Sequence, residues 1–184
     1  MDGEPGTTRR YWVYVPAQNT PAEPASLMVF QDRRMYLDPE GEIRAAVVFD
    51  NLIHRGGMPV TIGIFIDPGV FASEQDREDR DAEYDAFTDA YATFLLTEIF
   101  PNVQASYRIA EGPDEWAICG GSSGGCCAFT VAWTRPDRFR RVLSFVGGDD
   151  FYPKLIHETP KKPLRIFLQA ARAISTEIDL DSLW

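Results

Sequence analysis

Histidine is scarce in this sequence. Its 184 residues contain two histidines, His54 and His157, and three cysteines, Cys119, Cys126 and Cys127. The cysteines form no C-x-x-C pair and their number is odd, which argues against a zinc site and against a framework of disulfide bonds. Because the two histidines are also far apart in the sequence, we expect no metal site.

Positive charge is also in short supply. The chain has 18 Lys and Arg residues against 28 Asp and Glu residues, and its densest charged run, Ser73–Asp85, is mostly acidic. Nucleic acids and anionic membranes are bound by clusters of basic residues, so we expect neither of them as a partner. We interpret the run itself as a solvated loop without a function.

Long apolar runs are absent. No stretch approaches the roughly 20 apolar residues that a membrane span requires. The segment Met1–Arg10 is polar and lacks the apolar core of a signal peptide. We therefore expect a cytoplasmic protein.

Short apolar runs are present, and they alternate with helical patterns. This alternation predicts βαβ units and therefore an α/β fold with a mostly parallel sheet. The length suits a single domain over residues 1–184. The predicted strands are Tyr11–Val15, Leu27–Phe30, Val60–Ile66, Trp116–Cys119, Val142–Val146 and Leu164–Leu168.

Helices are predicted between these strands. Gly41–Arg55 stops at a pair of glycines, and Cys126–Trp133 stops before a proline. We expect the tail Ala170–Trp184 to form one helix, or a loop followed by a helix. A stripe of apolar residues at helical spacing predicts a further face packed on the sheet, made by Tyr84, Phe87, Tyr91, Phe94, Leu95 and Ile99.

The segment Gly120–Gly124 has the pattern G-x-S-x-G between a predicted strand and a predicted helix. In that context the pattern is typical of a nucleophilic serine, here Ser122, on a sharp turn. Side chains two residues before and after the serine would crowd the strand and the helix, which explains the glycines. The turn holds the hydroxyl beside a helix N-terminus, whose free N–H groups can stabilise a developing oxyanion.

Other interpretations of this segment stay open. Counting from Gly121 to Gly125 places Ser123 at the centre, but we prefer Ser122 because Gly124 and Gly125 then follow the turn, where the helix must approach the sheet. A phosphate-binding P-loop would need a lysine, and the dinucleotide motif G-x-G-x-x-G is not matched. A plain turn of glycine and serine is the remaining alternative.

Five segments resemble the putative-esterase family of α/β-hydrolases, which includes the enterochelin esterases. They are Arg10–Pro16, Leu27–Asp32, Val48–His54, Pro59–Gly63 and Ile118–Gly125. The resemblance runs from about Arg10 to Leu168 and implies a three-layer α/β-hydrolase-like sandwich, shortened at its C-terminus.

The same resemblance implies roles for individual residues. Ser122 would be the nucleophile. The oxyanion hole would be formed by the Ser123 amide and by an amide of the loop after Phe30, at Asp32 or Arg33. Arg33 stands where the family has a glycine, a residue that allows the backbone to approach the substrate oxygen closely.

The family places its catalytic acid a few residues after the strand that corresponds to Leu164–Leu168, where this chain has no carboxylate. Among the later residues we take Asp179 as the candidate acid, ahead of Glu177 and Asp181. Asp149-Asp150, which follow the preceding strand, are a weaker alternative.

The family's catalytic histidine lies beyond a further helix and strand, whereas no histidine follows His157 here. A neutral imidazole within hydrogen-bond reach is what activates a serine hydroxyl. His157 is the candidate base, in a region of proline and lysine, Tyr152–Pro160, that we interpret as a loop able to fold over the edge with Ser122. We interpret His54 as a structural or surface residue. We do not expect Glu158 to orient the side chain of His157, because adjacent side chains diverge.

Two functions are therefore predicted. The first is a serine esterase that cleaves a small-molecule carboxylic ester through an acyl-enzyme on Ser122 and needs no cofactor. The second is a catalytically impaired or inactive α/β-hydrolase-like domain that binds a ligand or a partner, because the late histidine and acid are missing. Loss of the last helix and strand would expose an apolar sheet edge, so this alternative predicts a homo-oligomer.

Overall fold

A sheet of six strands forms the centre of the protein in the computed structural model, which describes residues 7–71, 80–145 and 151–169. In chain order the strands are β1 (Thr7–Thr8), β2 (Tyr11–Tyr14), β3 (Ser26–Gln31), β4 (Thr61–Ile66), β5 (Val70–Phe71), β6 (Trp116–Gly121), β7 (Arg141–Phe145) and β8 (Arg165–Gln169). The order in the central sheet is β2-β4-β3-β6-β7-β8, while β1 and β5 pair with each other. Strand β2 is antiparallel to β4, and the other neighbours are parallel.

Helices connect the strands. They are α1 (Arg34–Leu37), α2 (Ala45–His54), α3 (Arg80–Tyr84), α4 (Ala90–Phe94), α5 (Phe100–Gln104), α6 (Ser123–Thr134) and α7 (Phe151–Glu158). A turn of π-helix, Leu95–Ile99, joins α4 to α5, and a 3-10 turn, Pro113–Glu115, precedes β6. The predicted α/β fold with a mostly parallel sheet is confirmed.

The sheet is covered on both faces, which explains the short, continuously apolar strands. Every residue of β3 and β4 is buried. One face packs on α4, α5 and α6, and its cluster includes Leu27, Ile64 and Ile118. The other face packs on α1 and α2, where Phe30 and Phe65 meet Phe49. Helices on both faces of a sheet make the three-layer sandwich.

The apolar stripe predicted for one helix is divided between α3, α4 and the π-helical turn Leu95–Ile99. Tyr84 ends α3, and the chain turns before α4 begins at Ala90. Five of the six stripe residues are buried in the core on this face, and Phe87, in the turn, is half-buried. The predicted packing on the sheet is therefore confirmed, although the helix is interrupted.

Two segments predicted as loops are helical where the structure describes them. Arg80–Tyr84, within the charged run Ser73–Asp85, forms α3. His157 lies in α7 and not in a loop. Proline at position 153 falls in the first turn of α7, where a missing N–H costs nothing, so it is compatible with the helix. The tail Ala170–Trp184 lies outside the described residues.

The carboxyl ends of the parallel strands lie along one edge of the sheet. Register pairs Gln31 with Ile66, and Gly121 with Phe145. The residues that follow these strands, including Asp32, Asp67 and Ser122, are therefore brought to the same edge. We call it the carboxyl edge.

Candidate active site

Ser122 occupies a strained turn between β6 and α6. Its backbone angles, φ 55° and ψ −129°, are uncommon for a residue with a side chain. Its amide donates a hydrogen bond of 2.8 Å to the Phe145 carbonyl, and its carbonyl accepts from the amides of Gly125 and Cys126. Its side chain is exposed. The strain falls on Ser122, whereas Ser123 begins the helix.

Two glycines make this turn possible. A Cβ on Gly120 would overlap the carbonyl oxygen of Gly124 and lie 2.8 Å from the amide nitrogen of Gly125. A Cβ on Gly124 would lie 3.0 Å from Oδ2 of Asp32 and 3.2 Å from Cβ of Gln31. The glycines before and after Ser122 therefore serve the close packing of strand and helix that the motif predicts.

The start of α6 provides hydrogen-bond donors beside Ser122. The first N–H groups of a helix lack intrahelical partners and carry a partial positive charge. Ser123 is the first residue of α6 and is half-buried. Its amide, one residue after the candidate nucleophile, is therefore a candidate oxyanion donor.

The loop after β3 reaches the same edge, and its turn is made by Asp32. Asp32 has φ 61°, a left-handed conformation that Asp tolerates better than most residues. Arg33 has φ −38° and ψ −42°, which any residue adopts, so no glycine is needed at its position. The Arg33 amide donates a long hydrogen bond of 3.4 Å to the Ile66 carbonyl.

Ion pairs hold both charged side chains of this loop. Arg80 donates two hydrogen bonds, of 3.0 and 2.7 Å, to the Asp32 carboxylate. Arg33 pairs with Asp67 at 3.2 Å and lies 3.8 Å above the ring of Trp12. The hydrogen bonds to Asp32 raise the pKa of Arg80, so the guanidinium keeps its positive charge at neutral pH.

Neither histidine of the chain is brought to Ser122. α2 runs from the carboxyl edge toward the start of β4, and His54 is its last residue. α7 likewise runs toward the start of β8, and His157 is its penultimate residue. Both histidines are exposed and lie toward the edge opposite Ser122.

Contacts of α7 confirm its direction. Near its start, the Tyr152 hydroxyl donates to the Cys126 carbonyl in the first turn of α6. Beyond its end, the Lys162 ammonium donates to the Trp133 carbonyl in the last turn of α6. His157 is five residues after Tyr152, about 7.5 Å farther along the helix. The path of α7 therefore leads away from Ser122.

The structure does not describe the acidic residues that are candidates from the sequence. Asp179, Glu177, Asp181, Asp149 and Asp150 all lie outside the described residues. Glu158, next to His157, is exposed and lies 3.9 Å from Lys154 on its own helix. The described residues thus bring the turn at Ser122, the start of α6 and the Asp32–Arg33 loop to one edge, but they bring no candidate base or acid to it.

The two buried cysteines, Cys119 and Cys127, are poor substitutes for the serine. Cys119 is buried in the sheet, and burial raises the pKa of its thiol to about 12. Burial also raises the pKa of the Cys127 thiol well above its usual value. Both thiols are therefore protonated at neutral pH, whereas the thiolate is the reactive form. Within the described ranges, no group of His, Cys, Asp and Glu side chains is arranged to hold a metal ion.

Two side chains at this edge were not singled out from the sequence. Arg80 lies within the charged run Ser73–Asp85, and its contribution to this edge follows only from its contact with Asp32. Met35, in α1, is 46% exposed, and its methyl group would lie 3.0 Å from a Cβ on Gly121. Met35 thus offers an apolar contact beside the nucleophile turn. Its position in a four-residue helix leaves no periodic signal in the sequence.

Among the residues that the structure describes, none of the helices combines the length and the hydropathy of a membrane span.

Comparisons with known proteins identify the family. A family model described as Putative esterase matches residues 3–166. A search of curated proteins gives no match. Enterochelin esterase from Shigella flexneri has a similar structure, with a TM-score of 0.68 and 23% identity over 86% of this chain and 40% of that chain.

Two further structures are similar to this one. Ferric enterobactin esterase from Salmonella typhimurium has a TM-score of 0.61 and 23% identity, over 76% of this chain and 32% of that chain. A feruloyl esterase module from Clostridium thermocellum has a TM-score of 0.62 and 10% identity, over 88% and 65%. At such identities the likeness shows an α/β-hydrolase-like fold, and the chain spans about 40% of the length of the enterochelin esterase. With the family match over residues 3–166, the chain belongs to the putative-esterase family.

Proposed function

We propose that the protein is a hydrolase of small-molecule carboxylic esters in which Ser122 is the nucleophile. The observation that carries the proposal is the strained, exposed Ser122 at the junction of β6 and α6. A side chain is held in such a conformation only when the surrounding structure enforces it, and such strain concentrates at functional sites. The family and its esterase neighbours support an ester as the substrate.

In the proposed reaction, Ser122 Oγ attacks the acyl carbon and the carbonyl oxygen becomes an oxyanion. The amide of Ser123 and the amide of Asp32 donate to this oxyanion, because the Arg33 amide already donates to the Ile66 carbonyl. The C–O bond to the alcohol then breaks, and the alcohol leaves with a proton. Water attacks the resulting acyl-enzyme and releases the acid. No cofactor takes part.

The proton of Ser122 needs an acceptor. Because both histidines lie toward the opposite edge, we propose that solvent water or hydroxide takes this proton in the present chain. Acylation is then slow. With an activated ester, deacylation is slower still, because water attacks without a base and the serine alkoxide is a poorer leaving group than the activated alcohol. The acyl-enzyme should therefore accumulate with an activated ester.

This proposal is tested by trapping the acyl-enzyme with p-nitrophenyl acetate. Mass spectrometry of the digested protein should find one acetyl group on the peptide that contains Ser122. The group should be lost in Ser122→Ala and retained in Ser123→Ala, the matched control next to it. Acetylation that persists in Ser122→Ala, or that occurs on lysines alone, would contradict the proposal.

The same measurement examines the base. Without a histidine base, the rate of Ser122 acylation should rise steadily from about pH 6 to 9, with no plateau above the usual pKa of histidine. His157→Ala should label as fast as the wild type. A plateau that His157→Ala removes would instead establish His157 as the base predicted from the sequence.

A second candidate function is supported by the edge of the sheet. β8 pairs with β7, and no described strand pairs with its other side. Phe167 is 55% exposed and Leu168 is 39% exposed, on opposite faces of β8. An exposed apolar edge strand is a template for pairing with another chain. We propose a non-catalytic module in which β8 pairs with β8 of a second copy.

An antiparallel pair centred on Phe167 would place Ile166 opposite Leu168 and Arg165 opposite Gln169, so no like charges meet. The wild type should then have a dimer mass by light scattering at micromolar concentration, and Phe167→Lys should be a monomer. Lys154→Ala, on the exposed surface of α7, is the control and should remain a dimer. A monomeric wild type would count against this function.

A further inference from the structure

We propose that Arg80 is a positioning residue that neutralises Asp32 and so preserves the positive potential of the oxyanion site beside Ser122. The inference rests on the proposed function, because it assigns a role in the same reaction. It goes beyond that function by explaining why a charged run far from the motif contributes to the site.

The carboxylate of Asp32 lies next to the first turn of α6. Its Oδ2 atom is 3.0 Å from the point where a Cβ on Gly124 would stand, and Gly124 follows Ser123 directly. The register that pairs Phe30 with Cys119 brings Asp32 beside the end of β6. The carboxylate thus lies one residue from the amide that would donate to the oxyanion.

A carboxylate at this position has two opposite effects. Near the N-terminus of α6 it stabilises the helix, because its charge complements the helix dipole. In the reaction it would repel the oxyanion that forms on the substrate, because both charges are negative and the site is partly shielded from water. The site therefore needs a cation that cancels the charge of Asp32 without entering the oxyanion hole.

Arg80 meets this requirement. It contacts both oxygens of Asp32, with Nε 3.0 Å from Oδ1 and Nη2 2.7 Å from Oδ2. Its guanidinium also lies over the ring of the buried Tyr84, 5.2 Å from the ring centre. The two-point contact fixes the orientation of the guanidinium against the Asp32 carboxylate, so its charge stays paired with that of Asp32.

The experiment compares the rate of Ser122 acetylation by p-nitrophenyl acetate in four proteins. Arg80→Met should slow acetylation about tenfold, because one unpaired charge near the oxyanion raises the barrier. The double variant Asp32→Asn with Arg80→Met removes both charges and should recover most of the rate. Arg140→Met is the matched control, because Arg140 pairs with Asp114 at 3.0 Å near the starts of β6 and β7. It should react at the wild-type rate.

Recovery of the acetylation rate in the double variant, without a matching recovery of the free energy of unfolding in urea, is the decisive result, since a purely structural role predicts that the rate follows the stability of the fold. A double variant as slow as Arg80→Met, or an Arg80→Met variant as fast as the wild type, overturns the inference alone. A wild type that takes no acetyl group at Ser122 overturns the proposed function and, with it, this inference. Circular dichroism identifies a variant that fails to fold, and the double variant then supplies the comparison with the wild type.

Discussion

Replacing Arg9 with methionine is expected to destabilise the fold by about 3–5 kcal/mol, the usual result of removing one partner of a buried ion pair. Arg9 and Glu83 form an ion pair of 2.5 Å in which each side chain is only 10% exposed. The Glu83 carboxylate also accepts the amide of Gly69 at 3.1 Å. Methionine keeps much of the packing of Arg9 on the Phe94 ring but removes the cation. The free energy of unfolding in urea measures the loss.

Two further variants separate the loss of the ion pair from the loss of packing. Arg9→Met combined with Glu83→Gln should recover a large part of the stability, because the buried charge is gone. Arg135→Met is the surface control. Arg135 pairs with Asp137 at 2.8 Å, but Asp137 is 58% exposed, so its loss should cost no more than about 1 kcal/mol. Equal effects at Arg9 and Arg135 would show that burial of the first pair contributes nothing.

The ion pairs Arg9–Glu83 and Arg80–Asp32 show that part of the charged run has a structural role. From the sequence, Ser73–Asp85 reads as a solvated loop, because mixed charges at such density are mostly exposed. Two of its charges, Arg80 and Glu83, instead meet Asp32 and Arg9, which lie 48 and 74 residues away. Periodicity and composition describe neighbours in sequence. Residues so far apart in the sequence are brought together only by the fold, so no local sequence pattern predicts that they pair.

The sheet was predictable for the opposite reason. A strand with helices on both faces is apolar at every position, and β3 and β4 display this directly in their residues. The nucleophile turn was equally readable, because the sterics of Gly120 and Gly124 are local. The boundaries were less accurate. α6 begins at Ser123, three residues before its predicted start, because glycines are weak helix formers and tertiary packing holds them there.

The placement of His157 was the point at which sequence reasoning was least informative. A proline on each side, at positions 153 and 160, favours a loop. The helix forms because Tyr152 packs on the ring of Phe129, 4.5 Å away, and shares a 3.2 Å contact with the Thr130 hydroxyl. A helix has a fixed direction, and this one carries His157 away from the carboxyl edge. The distance of a base from its serine is a tertiary property that the histidine alone does not encode.

Replacing Gly120 with alanine is expected to have the largest effect on stability, about 4 kcal/mol or more. The added methyl group would overlap the Gly124 carbonyl oxygen, which is backbone and cannot turn aside as a flexible side chain can. Either β6 or the first turn of α6 must move. Both elements hold Ser122, so its backbone conformation should be lost together with its acetylation by p-nitrophenyl acetate.

Gly112→Ala is the matched control for this substitution. Gly112 has φ −67° and ψ 134°, which alanine adopts freely, and a Cβ there would meet only the Glu115 side chain at an ordinary 3.7 Å. Its free energy of unfolding should stay the same or rise by up to about 1 kcal/mol, since alanine restricts the unfolded chain. Urea unfolding followed by circular dichroism compares the two variants. If Gly120→Ala were as stable as Gly112→Ala and its Ser122 were still acetylated, the turn at Ser122 would not depend on close packing at Gly120.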